Sequence, residues 1–272
     1  MLTFPDQLNR IRDTMRRQEA LLKQVAERYA DALEAGGLIH LYANGHSLMT
    51  VSETVVRMGA LTGFRPVLAD GLTKFVDVVG SNGIRVCQHF EKYETIGGKL
   101  LDEIDFGPQD VMVFISATGQ TQAAVDTALE FNRRYPNLPL VVIASLEQSR
   151  TAPPKHSSGK TLFHVAQDAA HGYLIDNGMP VGDLSTSIEG NLGSYQIAPL
   201  SSIGAFSVTH CLNELTLREL DRRGVAHTVL QNMHLGKTRV NYDDWVRDQR
   251  RRYARAIHNP DAVTPVPSPE DA

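Results

Sequence analysis

The segment Asp110-Val-Met-Val-Phe-Ile-Ser116 constrains this chain more than any other, because its apolar residues run without a break between polar ends. A run of that length with no alternation suits a strand buried on both faces, the situation of a parallel sheet with helices on either side. Leu38–Tyr42, Arg65–Ala69, Leu140–Ala144 and His171–Asp176 read as further strands. Helical patterns separate them, near 48–60, near 95–104 and up to Arg134 before Pro136. Two more follow, from Ser201 to Arg223 with Gly224 as C′ residue, and near 241–257. This alternation predicts an α/β protein, a doubly wound open parallel sheet with a long N-terminal helix and a C-terminal helical extension.

The N-terminal helix is read from Thr3, with Asp6, as a capping box with Pro5 in the first turn, and it closes at Gly36-Gly37. Its seam is Leu8, Ile11, Met15, Leu22, Val25, Tyr29 and Ala32, broken only by Gln18. Such a seam packs on the body or pairs with a second subunit. Residues 70–95 and 177–199 have no clear periodicity, and 145–160 reads as a long polar loop. Residues 1–258 are expected to form one domain, followed by a disordered Pro-rich acidic tail, 259–272.

Charge and cysteine content narrow the function classes. The net charge of −4 argues against a nucleic-acid binder. The run Arg247, Arg250, Arg251, Arg252, Arg255 reads as a solvated helix face. Cys87 and Cys211 form no CxxC pair, so zinc-ribbon and redox motifs fail. No leader-like start and no long apolar stretch is present, so the expectation is a cytoplasmic protein with no membrane partner. No Gly-x-x-x-x-Gly-Lys-Ser/Thr loop is present, which argues against a kinase.

The chemistry is expected in loops at the carboxyl ends of the strands. Ser116, Thr118 and Thr121 supply hydroxyls before a helix N-terminus, with Gly119 and Gln120 in the turn. Free N–H groups and the helix dipole suit an anion there, although a single hydroxyl suffices for a simple cap. The segment Ile115-Ser-Ala-Thr-Gly-Gln-Thr121 resembles the Ile-Ser-x-Ser-Gly-x-Thr motif of the sugar isomerase (SIS) domain family, with Thr118 in place of the second serine. Asn44-Gly45-His46-Ser47 is similar to that family's Gly-x-Gly-x-Ser turn, with Ala43 where the first glycine would fall. His156-Ser-Ser-Gly-Lys160, Asp176-Asn177 with Pro180-Val-Gly-Asp183, and Pro199-Leu-Ser-Ser-Ile203 resemble a poorly characterised branch, with Ala198 in place of a glycine. The resemblance implies an SIS-like fold, a phosphorylated sugar held by Asn44, Gly45, His46, Ser47, Ser116, Thr118, Gly119, Gln120 and Thr121, with His156, Asp176, Ser201 and Ser202 as further contacts, and a homodimer.

Acid–base candidates are Glu53, His210 and Glu214. Glu53 follows Ser47 by six residues, but Arg57 at i+4 offers it an ordinary ion pair. His210 and Glu214 share a helix face as a structural pair, as proton-transfer groups or as half a metal site, for which no third ligand is marked. The expected function is aldose–ketose isomerisation of a sugar phosphate with no cofactor and no metal. A lyase acting through the same α-proton abstraction and a non-catalytic sensor are the alternatives.

Overall fold

The structure, a computed structural model, describes residues 2–69, 88–231 and 242–257. Five strands form a parallel sheet in the order β2-β1-β3-β4-β5. They are β1 (Ile39–Ala43), β2 (Phe64–Val67), β3 (Val111–Ile115), β4 (Leu140–Ala144) and β5 (Gly172–Asp176). The apolar run that defines β3 sits at the centre and is buried throughout. Alternate residues feed two cores. Val111, Val113 and Ile115 join Ile39 and Leu41 on one face, and Met112 and Phe114 join Tyr42 and Val142 on the other.

The helices that cover these faces are α1 (Phe4–Arg17), α2 (Glu19–Glu34), α3 (Leu48–Val55), α4 (Ile96–Asp102), α5 (Gln122–Arg134), α6 (Leu146–Thr151), α7 (Leu162–Asp168), α8 (Ser201–Arg222) and α9 (Tyr242–Ile257). Helix α2 and α8 pack on the first face, and α4, α5 and α7 supply the second. No helix among the described residues is long and apolar enough to cross a membrane.

The N-terminal helical stretch differs from its sequence reading in two ways. Thr3 makes no side-chain cap bond, so the capping box is absent. The helix breaks at Gln18, the residue that interrupts the seam (φ −107, ψ 18). Its amide is used elsewhere: Nε2 donates to the Asp176 carbonyl at 2.7 Å and Oε1 accepts the Asp176 N–H at 3.0 Å. Gln18 thus extends the backbone pairing of the edge strand β5. The seam packs on the body, with Ile11, Met15, Leu22, Val25, Tyr29 and Ala32 buried, and only Leu8 exposed.

Two further segments depart from expectation. The polar loop 145–160 contains the short helix α6, capped by Ser145, whose side chain accepts the Gln148 N–H. Residues 177–199 contain an antiparallel hairpin, β6 (Leu184–Gly190) and β7 (Gly193–Pro199). The C-terminal basic run is only partly solvated. Arg252 donates to the Leu33 and Gly37 carbonyls and Arg255 reaches Asp110, while Arg250 and Arg251 are exposed. The tail 259–272 lies outside the described residues.

Asp110 is the polar pin beneath the sheet. Its fully buried carboxylate accepts from the Leu38 N–H (2.8 Å), the Gly107 N–H (2.9 Å) and Arg255 (2.6 Å), and pairs with His40 Nε2 at 3.0 Å. Burial pushes the Asp110 carboxyl up, but the His40 partner, the Gly107 amide and Arg255 outweigh it and hold it below the ordinary value. Burial lowers His40 despite the same carboxylate. Both shifts have one sign in stability. Below about pH 6.5 the unfolded His40 takes up a proton that the folded one resists, and below about pH 4 the unfolded Asp110 does the same. Stability is therefore predicted to fall on acidification from about pH 7.5 to 5, with a shallower slope in His40→Gln, as read from urea midpoints. Asp110→Asn should cost about 3 kcal/mol at neutral pH in the same assay.

Candidate functional site

The sheet order fixes where a ligand crevice can open. From β1 the chain moves outward to β2, and from β3 it moves the opposite way to β4 and β5. Loops leaving the neighbours β1 and β3 therefore diverge, and ligands of open α/β sheets bind at such a switch point. Ala43 pairs with Ile115, so Asn44 and Ser116 begin their loops side by side.

A cavity of about 560 Å³ lies there. Asn44, Gly45, His46 and Ser47 line it from the turn after β1. Ser116, Thr118 and Thr121 line it from the loop after β3, and Ser201 and Ser202 from the start of α8. Nine of the residues singled out by sequence thus share one cavity. Ala43 closes β1 in paired strand geometry, so its lack of glycine character does not loosen the turn, which begins at Gly45 (φ +52). A Cβ on Gly45 would stand 3.0 Å from Glu91 Oε1.

The loop after β3 leaves donors unused. Ser116 Oγ accepts the Gly119 N–H at 3.0 Å, which keeps its own proton available. The Thr121 side chain makes no cap bond to α5. Among the described residues the first-turn N–H groups of Gln122 and Ala124 find no protein acceptor, as is usual at a helix start. No lysine or arginine lines the cavity among the described residues. Gly119 (φ +70) lies behind this wall, where a Cβ would run into Ser149 Oγ. Buried Gln120 ties the loop to its neighbours, donating to the Pro153 carbonyl at 2.9 Å and accepting from Gln148 at 3.3 Å.

Asn44 is the informative polar group. Its side chain is buried, yet neither Oδ1 nor Nδ2 has a hydrogen-bond partner. The Tyr42 hydroxyl is near both Thr127 and Asn44 but lacks bonding geometry, and burial raises its pKa. A buried amide left with an open donor and an open acceptor costs free energy unless something else satisfies it.

Several cavity residues escaped the sequence reading. Met49 follows from the helix start at Leu48, while Gln88 and Glu91 fall in the stretch without periodicity. The Glu91 carbonyl accepts the Ala123 N–H at 3.0 Å, which docks residues 88–94 on the first turn of α5 and brings the Glu91 side chain to the cavity. Asp183 also reaches the lining, but its carboxylate is already engaged. It accepts from the Leu200 N–H (2.9 Å), the Ser201 N–H (2.7 Å) and the Ser201 hydroxyl (2.7 Å). The N-terminus of α8 thus carries an anion of the chain's own, whereas among the described residues no carboxylate accepts the first-turn amides of α5.

Other candidates sit elsewhere. His156 is buried, with Nδ1 accepting the Ser158 N–H at 3.0 Å and Nε2 facing Asp126 (3.7 Å) and Glu94 (3.9 Å). Glu94 accepts from the Ser157 N–H and from Gln122, bonds that hold its carboxyl at about 2. This cluster fastens the 152–160 loop behind α5, outside the cavity lining. Asp176 accepts the Gly178 N–H at 3.1 Å, and Lys160 pairs with Asp168 at 2.9 Å. Glu53, His210 and Glu214 line a second, smaller cleft of about 230 Å³ between α3 and α8. There Glu53 accepts from Arg57 at 3.0 Å and stands 3.6 Å from His210 Nε2, while Glu214 accepts from Arg218 at 3.0 Å. His210 and Glu214 therefore do not pair with each other. Among the described residues no three His, Cys, Asp or Glu side chains are grouped to hold a metal ion.

Ala198 has φ +63, the left-handed region that a side chain disfavours. This explains why a glycine is expected there. Ala198→Gly should raise stability by up to about 1 kcal/mol, read from the thermal midpoint, and an unchanged or lowered midpoint would contradict this account of the turn.

The chain is similar to known proteins in sequence and in structure. A family model described as "SIS domain" matches residues 3–144. A UPF0309 protein of Halalkalibacterium halodurans is 29% identical over 175 residues, 64% of this chain and 65% of that protein. The chain thus spans just under two thirds of that relative's length. A Lysinibacillus sphaericus relative, named as a UPF0309 protein in the nagA 3' region, is 24% identical over 88% of this chain and 92% of its own. Among solved structures, phosphoheptose isomerase GmhA from Neisseria gonorrhoeae superposes with a TM-score of 0.48 at 12% identity, covering 79% of this chain and 95% of that one.

Proposed function

This chain belongs to the SIS-domain family, and from that premise we propose that its cavity binds a phosphorylated sugar. The unsatisfied amide of buried Asn44, in one cavity with the Ser116–Thr121 loop whose Thr121 makes no side-chain cap to α5, carries this reading. The phosphate is held by the hydroxyls of Ser116, Thr118 and Thr121 together with first-turn amides of α5, without a lysine. The sugar hydroxyls, each both donor and acceptor, meet the open donor and acceptor of Asn44. Ser47, Ser201 and Ser202 face the same ligand, and Gly45 gives it room.

The reaction that fits this cavity is aldose–ketose isomerisation. The Glu91 carboxylate takes the C2 proton of the open-chain aldose to give an ene-diol(ate), then returns a proton to C1 to give the ketose. Glu91 is favoured over Glu53, His210 and Glu214 because it shares the cavity with the anion loop, whereas those three line the other cleft. His46, also in the lining, is the group proposed to exchange protons with the sugar oxygens.

Two experiments test this. Replacing Thr118 and Thr121 together by Val should weaken sugar-phosphate binding by roughly 10²–10⁴-fold, at about 1.5–3 kcal/mol per charge-assisted bond. Calorimetric titration measures it, and an unchanged affinity rejects the anion loop. Glu91→Gln should keep binding but slow exchange of the C2 hydrogen in deuterated water by at least about 10²-fold, followed by NMR. Full exchange in that variant would remove Glu91 from the chemistry. Tight binding with no exchange by the wild type would make the chain a sensor of the same ligand.

A further inference from the structure

His156, Glu94 and Asp126 have no part in the reaction as proposed, yet they hold the segment that carries Glu91. That segment, 88–94, is pinned to α5 where the Glu91 carbonyl accepts the Ala123 N–H. Three residues further along the chain, Glu94 pins it again. One of its oxygens, Oε1, accepts from Gln122 Nε2 of α5 (2.8 Å) and from the Ser157 N–H of the 152–160 loop (3.0 Å). Those bonds keep the Glu94 carboxyl an anion at neutral pH.

His156 prepares this second attachment. Its Nδ1 accepts the Ser158 N–H at 3.0 Å and its carbonyl accepts the Gly159 N–H at 3.0 Å, which folds a tight turn and leaves the Ser157 N–H to Glu94. With Nδ1 used as an acceptor, the neutral ring carries its proton on Nε2, which makes that atom a donor and not a metal ligand. The His156 side chain is only 7% exposed, and Nε2 has no hydrogen-bond partner. It faces Asp126 Oδ1 at 3.7 Å and Glu94 Oε2 at 3.9 Å, separations that one bridging water spans. Asp126 in turn accepts the Gly97 N–H at 2.7 Å, and burial raises its carboxyl despite that bond and His156. A buried donor is thus aimed between a carboxylate of α5 and a carboxylate of the 88–94 segment.

We propose that His156 is a positioning residue: acting through Glu94, it latches the 88–94 segment between α5 and the 152–160 loop and so fixes the Glu91 carboxylate in the cavity wall. The proposal rests on the reading of Glu91 as the proton-transfer group. Freedom gained at Glu94 passes directly to Glu91, three residues away, and a displacement of about 1 Å at a reacting group can cost on the order of 10²-fold in rate. The anion loop has ties of its own, from Gln120 to Pro153 and Gln148, which involve neither His156 nor Glu94. Loss of the latch should therefore slow the chemistry and spare binding.

Two measurements on the full chain test this. The first needs no ligand and is amide hydrogen exchange read by mass spectrometry. In Glu94→Ala and in His156→Ala, protection of the 88–94 segment should fall by at least about tenfold, with β3 and β4 still protected, which shows that the chain is folded. Glu94→Gln, whose amide oxygen still accepts from Gln122 and Ser157, should keep that protection. The second is exchange of the C2 hydrogen of tetrose to heptose phosphates in deuterated water, followed by NMR. Both alanine variants should lose roughly 10- to 10²-fold in kcat at unchanged KM. Glu94→Gln should restore the rate, and the double alanine variant should be no slower than Glu94→Ala alone, because His156 acts through Glu94. Unchanged protection in the alanine variants, losses that add in the double variant, or a loosened segment with an unchanged rate would each overturn the latch. No exchange by the wild type, or full exchange by Glu91→Gln, would instead overturn the reading of Glu91, and the protection measurement would still decide the latch.

Discussion

Everything in the functional reading rests on the side-by-side pairing of β1 and β3. These two strands are neighbours in the sheet but far apart in sequence, and the chain leaves them in opposite directions. Their carboxyl ends therefore open a crevice that no intervening strand fills. Because Ala43 and Ile115 are in register, the Asn44–Ser47 turn and the Ser116–Thr121 loop face one cavity. The register is itself enforced by the cores. A slip of one residue would turn Phe114 and Met112 toward the wrong helices. On the opposite side of the sheet, Asp110 ties the starts of both strands together through His40 and the Leu38 amide.

The cavity owes its polarity to two helix starts treated differently. Asp183 fills the N-terminus of α8 with an internal carboxylate, so that end is already neutralised. The N-terminus of α5 has hydroxyls beside it, and among the described residues no carboxylate accepts its first-turn amides. Glu91, whose carbonyl accepts the Ala123 N–H, and the Asn44 amide lie in the same cavity lining.

Much of this was legible in the sequence because it is local. The strands come from apolar runs, and the Ser116–Thr121 loop follows the most apolar of them. What was hidden depends on tertiary meetings. Glu91 lies in a stretch with no period, and only its docking on Ala123 carries it to the cavity. His210 and Glu214 looked suitable because helix spacing puts them on one face, and Glu53 because it follows Ser47 by less than two turns. Yet His210 stands eight or nine residues beyond Ser201 and Ser202, roughly 12–14 Å along the helix axis, which puts it in the other cleft. Gln18 looked like a flaw in a seam and is instead a backbone mimic that pairs with Asp176. The hairpin did alternate, Leu184-Ser-Thr-Ser-Ile188 and Tyr195-Gln-Ile197. The signal was short, diluted by small polar residues and interrupted by the Gly190–Gly193 turn.

The most direct test of the central claim is a crystal structure of the protein with a sugar phosphate bound. The account predicts the phosphate at the N-terminus of α5, within hydrogen-bond reach of the Thr118 and Thr121 hydroxyls, with a sugar hydroxyl on the Asn44 amide. A phosphate at the N-terminus of α8, or in the cleft of Glu53 and His210, would contradict it.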